Sequence, residues 1–171
     1  MIYIALYMTT IVFDDHPEFT PNVTPLEMFS KGVFGGGYWR NIYSSVLEAD
    51  LKNKHIEFPD IAKLPVSKLT NNKCNPKVNY YGVKAGSSLD EWESKGWIKD
   101  IDPYGWVQWY CRFYNGRRSD DDERQIDRWV RYAGPKGRWK RNLEGQIIKK
   151  GSAGASKVVR QGLLQWAYIS T

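Results

Sequence analysis

Cysteine and histidine are scarce in this chain. Cys74, Cys111, His16 and His55 are all it has, and none stands at a spacing that builds a zinc site. Two unclustered cysteines exclude a disulfide scaffold, leave room for one pair at most, and suit a reducing compartment. Long apolar runs are missing as well, so nothing approaches a membrane span. The opening "MIYIALYMTTIVF" lacks the basic start and the small-residue cleavage pattern of a secretory signal. Its alternation places Ile2, Ile4, Leu6 and Met8 on one side and Tyr3, Ala5 and Tyr7 on the other, which predicts a strand over residues 1–13. These absences point to an intracellular protein, cytoplasmic or associated with a nucleoid or nucleus. Nucleotide fingerprints are absent too: "GGGYWR" has no Lys-Ser/Thr after its glycines, and "VFGGGY" is not a dinucleotide motif. No catalytic serine motif or paired glycosidase carboxylates can be assigned, and no metal or cofactor is called for.

What the chain does have is rings and localised charge. Eight Trp and eleven Tyr among 171 residues supply much buried area per position. That length fits one domain, residues 1–171, with a core that needs neither metal nor disulfide. The net charge is +6, and its location is informative. From Arg112 to Lys150 there are twelve Lys and Arg against six Asp and Glu, while the remainder holds thirteen of each sign. One segment carries the whole excess, and a concentration of this kind draws polyanions.

Helix signals are strongest in the second half. Thr24, Pro25 and Glu27 form a capping box closed by Gly32, and Ser88, Glu91 and Gly96 repeat the pattern. Between them, residues 33–87 read as irregular: "GGG" at 35–37 a flexible turn, Val46 to Lys52 a helical turn or two, "KVNYYGVKAG" a short strand or extended arm. Residues 102–168 read as a helical half. Asp102 and Pro103 begin a helix ending at Asn115, with Trp106, Trp109, Tyr110 and Phe113 on one buried face. Ser119 caps a second, reaching Ala133; a third spans Lys136 to Lys149, interrupted by Gly145; a last runs from Ser156 to Tyr168. The expected fold is mainly α with a minor β element at the N-terminus, a set of short capped helices around an aromatic-rich core.

The helix after Ser119 carries the functional expectation. Ile126, Trp129, Val130 and Ala133 share one side, and Arg124, Arg128 and Arg131 fall opposite, as an open row. Arg117, Arg118, Lys136, Arg138, Lys140 and Arg141 lie near enough to extend it. Guanidinium groups bind phosphates bidentately, so this face is read as a nucleic-acid contact surface, DNA included. A solvated arginine face that binds nothing is the competing reading. The acids Asp120 to Glu123 are read as partners of the helix dipole rather than as metal ligands.

Two alternatives remain open. One is an enzyme acting on nucleic acid or nucleotides, with Arg117 or Arg118 on a phosphate and Asp120, Glu123 or Asp127 as base. The other is an adaptor that binds a protein partner through exposed aromatics. Tyr and Trp interleaved with Arg can also stack bases, and Tyr38, Trp97, Tyr114 and Tyr132 are the candidates for exposed rings. Cys111, beside the aromatic face with no base near it in sequence, reads as a buried inert thiol. The stretch "DPYGWVQWYCRFYNGRRSDDDERQIDRW", with "GVFGGGYW" before it and "RQGLLQWAY" after it, resembles a family in which these elements recur in that order. Tyr104 stands where that pattern has a basic residue. The resemblance spans most of residues 24–168, implies one integrated domain, and carries no activity and no functional residue.

Overall fold

A computed structural model describes residues 9–170. The fold is mainly α with a minor β element. The strand read over residues 1–13 lies largely outside the described residues. Its tail, residues 9–13, is not strand; the Ile11 amide donates to the Pro21 carbonyl instead.

The first helix, α1 (Pro25–Lys31), is built as its sequence specifies. Thr24 Oγ1 accepts from the Glu27 amide at 3.2 Å and the Glu27 carboxylate accepts from the Thr24 amide at 2.8 Å. Gly32 closes it at φ +97°, where an added Cβ would lie 1.9 Å from the Val78 carbonyl oxygen. Only glycine fits there. The β element is a hairpin of β1 (Ile42–Ser44) and β2 (Ala49–Leu51), with Ile42 opposite Leu51. The helical turn expected over Val46 to Lys52 is therefore corrected. Ser44 Oγ accepts from the Leu47 amide and the Glu93 carboxylate from the Ser45 amide, and Glu48 adopts φ +51°, so the chain folds back on itself.

A short α2 (Pro59–Ala62) and α3 (Leu89–Ser94) precede the helical half. There, α4 (Trp106–Tyr114) begins three residues later than its Pro103 suggests. Asp102 does not cap it, because its carboxylate is taken by Arg112 and Arg117. Likewise α5 (Asp122–Ala133) starts after a turn, since Asp122 turns back to accept from the Ser119 amide, the Ser119 hydroxyl and the Trp109 indole N–H. Helix α6 (Arg138–Lys150) runs through Gly145 without a break, and α7 (Lys157–Leu164) stops early, with Ala167 at φ +55°. "KVNYYGVKAG" is a 3-10 turn and loop rather than a strand.

The core is ring upon ring. Phe19, Phe29, Trp39, Trp109, Tyr110, Phe113 and Trp129 are all fully buried, and Phe19 alone meets five other rings of the α4–α5 region. All four expected face residues of α4 are buried. Two loops are then pinned to α7 by buried amides. Gln165 accepts from the Phe34 amide and donates to the Ala85 carbonyl; Gln161 accepts from the Tyr81 amide and donates to the Gly32 carbonyl. Asn79 accepts from the Gly35 amide at 2.7 Å. Hence the triple glycine is no flexible turn: all three residues are buried and held against the chain at Ser67 to Asn75.

Candidate functional site

The arginines of the basic segment meet very different surroundings. Arg117 forks onto the fully buried Asp102 at 2.6 and 2.7 Å, and Arg112 bridges the same carboxylate at 2.9 Å to Glu57 at 2.8 Å. Arg118 lies 3.7 Å over the Phe113 ring, donates to the Phe113 carbonyl, and grips Asp15. That contact holds the Asp15 carboxyl below its usual range. Arg124 forks onto Asp121 at 2.6 and 2.8 Å and donates to the Trp97 carbonyl. These side chains hold the protein together, so the expected open row does not form at its Arg124 end.

Arg128, one turn further along α5, differs. Its one hydrogen bond goes to the neutral Gln125 Oε1 at 2.9 Å. Its guanidinium lies over the Trp97 and Trp166 rings at 5.5 and 5.4 Å. Burial, reinforced by the like charge of Arg124, pulls its pKa down to about 10. The sequence wheel places Arg128 outward, but it stands about 60° from Gln125, which is itself buried. Around Arg128 the flank that the wheel assigned to water is covered by Trp97, from the chain after α3, and Trp166, from the chain after α7. The Asp121 carboxylate opposes this only from a distance, and a partly desolvated cation with no carboxylate in contact is costly.

Arg128 lines a cleft of about 680 Å³ with Arg131 and Arg138 at its rim and no acid or histidine among its lining residues. Arg131 is 82 % exposed and only loosely paired with Asp127 at 3.8 Å. Arg138 is exposed. Three rings in contact line its wall, Tyr132 on Trp166 at 4.9 Å and Trp166 on Trp106 at 4.8 Å, and the row continues behind it to Trp139 at one end and the buried Tyr110 at the other. The Trp129 indole N–H donates to the Trp166 carbonyl at 2.8 Å and fixes the middle ring. An added Cβ at Gly162 would stand 2.9 Å from the Tyr132 hydroxyl, so this glycine makes room for that ring. Burial raises the Tyr132 pKa to about 12.

The remaining candidates sort by place. Lys136 and Arg141 are exposed, while Lys140 sits 4.9 Å from the Tyr168 ring. Asp120, Glu123 and Asp127 are exposed and none lines the cleft, so no general base from that group faces it. Of the rings proposed for exposure, Trp97 and Tyr114 are open, Tyr132 is half-buried, and Tyr38 is buried, donating to the Tyr104 carbonyl. Cys111 is buried and its thiol pKa is pushed far up by burial; Cys74 is exposed. No cluster of three His, Cys, Asp or Glu occurs among the described residues. No helix among them is long and apolar enough to cross a membrane. Phe34 and Trp92 also line the cleft; Phe34 was missed because its loop has no periodicity, and Trp92 because α3, though legible from its caps, is too short to show which side it buries. Comparison with known protein families, curated proteins and solved structures finds no match to this chain.

Proposed function

We propose that the protein binds single-stranded nucleic acid in this cleft, with bases stacking on its rings and phosphates meeting Arg128, Arg131 and Arg138. The observation that supports this is Arg128: a guanidinium drawn out of water, over two indoles, with no carboxylate in direct contact among the described residues and Asp121 acting on it only from a distance. An incoming phosphate would supply the missing charge where water screens it least. Trp97, the exposed ring of the cleft, offers a flat surface to an unpaired base whatever its sequence, whereas a duplex keeps its bases stacked on each other. The three-arginine face of α5 thus contributes its Arg128–Arg131 end, extended by Arg138 rather than by Arg117 and Arg118.

The test is intrinsic tryptophan fluorescence during titration with an unstructured single strand and with a duplex. Quenching by the single strand is expected, with affinity falling with salt at a log–log slope of about −2 for three phosphates on a single strand. Absence of quenching at low salt, or tighter duplex binding without quenching, would overturn the reading.

A further inference from the structure

A second cleft, of about 500 Å³, abuts the first. The two share Phe34, Tyr38, Gly86, Ser87 and Trp92 as lining residues, so they meet along a common wall. The charge balance continues across it. Arg40 and the exposed Lys84 line the second cleft, and its one carboxylate, Glu91, is answered by Lys95 at 2.7 Å. Arg40 is positioned by donating to the Gly37 carbonyl at 3.1 Å.

Phe34 stands on the shared wall in a conformation that rings seldom adopt, φ +53°. Nothing in the local sequence favours this, and the backbone is held there from outside. Its amide donates to Gln165 Oε1 and the next amide to Asn79 Oδ1. The result is a ring buttressed by Tyr38 at 4.9 Å and by the edge of Trp92 at 6.1 Å. Trp92 is in turn fixed by its indole N–H donating to Ser87 Oγ at 2.9 Å. Unfavourable backbone imposed by surrounding contacts marks a position where placement of the side chain matters.

We infer that the two clefts are successive subsites of one groove for single-stranded nucleic acid, with Phe34 as the stacking platform at the junction and Arg40 and Lys84 as phosphate contacts of the second subsite. This rests on the nucleic-acid reading of the larger cleft. The occupant is an extended strand because a mononucleotide would leave one cleft, with its own cations, empty. A strand supplies a phosphate at every step and a base for each ring wall.

The experiment is a length series of 5′-phosphorylated oligothymidylates, of one, two, four and eight residues, titrated against the wild-type chain and the variants F34A and K84A. Affinity should rise tenfold or more, on the order of one added stacked base, between the single residue and the four-residue strand, then level off. K84A, an exposed position chosen because its folding is safe, should cut that gain to about threefold or less, as should F34A. A flat series, with the mononucleotide bound as tightly as the longer strands, overturns the two-subsite groove and leaves the single-cleft reading standing. A gain that survives undiminished in both variants overturns it as well, since the added contacts then lie elsewhere. No binding at any length removes both readings together.

Discussion

Arg124 and Arg128 stand one turn apart on α5 and end in opposite surroundings. Arg124 is forked onto Asp121 and tied to the Trp97 carbonyl; Arg128 lies over the Trp97 and Trp166 rings and donates to the neutral Gln125. The same division runs through the whole basic segment. Arg112, Arg117, Arg118 and Arg124 each fork or bridge onto carboxylates from distant or neighbouring parts of the chain. Arg128, Arg131 and Arg138 border a ring-lined cleft with no acid among its described lining residues. Charge count alone treats these residues as equivalent. Burial and the supply of carboxylates separate those engaged in the fold's own ion pairs from those that border the cleft.

The largest effect expected from breaking this division is at Asp102. Replacing it by Ala strips the acceptor from two arginines at a site with no exposed side-chain surface. The cost should be about 3–5 kcal/mol, seen in thermal melts as a fall of roughly 10 °C or more at this chain length. A loss of a degree or two would mean that water replaces the carboxylate and the locked set is no lock.

Arg128→Met sharpens the contrast from the other side. Removing a desolvated, unpaired cation while keeping its stem should leave the melting temperature unchanged or raise it, by up to about 1 kcal/mol of stability. A drop of several degrees would show that Arg128 belongs with the structural set.

Alkaline titration probes the rings of both regions. Burial raises Tyr132, in the larger cleft, and Tyr104, which lines the second cleft two residues from Asp102, to about 12. Each folded pKa lies above the unfolded value, so the stability each contributes is complete below pH 10 and is lost as pH rises through 12. Ultraviolet tyrosinate absorbance should therefore lag behind that of the unfolded chain across this window. Coincident curves would contradict the burial of both hydroxyls.

Arg124→Ala should cost about 1 kcal/mol, as a part-buried pair within one helix turn does, read as a shift of a few degrees. The smallest change belongs to Lys136 and Arg141, exposed beyond the rim. Changing both to Ala should alter stability by less than about 0.5 kcal/mol and flatten the salt slope of binding by at most about one.

Much of this was legible in the chain. The α1 capping box, the buried face of α4 and the mainly helical class follow from local patterns that do not depend on distant partners. The hairpin at 42–51 was not legible, because it is closed by Ser44 and by Glu93 from a remote segment. The start of α4 was misplaced for a like reason: Asp102 is an ordinary cap residue until Arg117 claims it. The candidate site was half legible. A helical wheel identifies which arginines avoid the apolar side of α5, but it has no information about Trp97 and Trp166, which come from other parts of the chain to cover Arg128. Phe34 was invisible, since a strained loop ring has no period to betray it.

The most direct measurement is a side-by-side titration of one short single strand, followed by fluorescence anisotropy at low salt, against the wild-type chain, R124A and R128M. The expected result is a tenfold or greater loss of affinity for R128M, about what one charge-assisted contact contributes, with R124A within twofold of wild type. Equal affinity in all three, or a loss confined to R124A, would contradict the assignment of the cleft as the binding site.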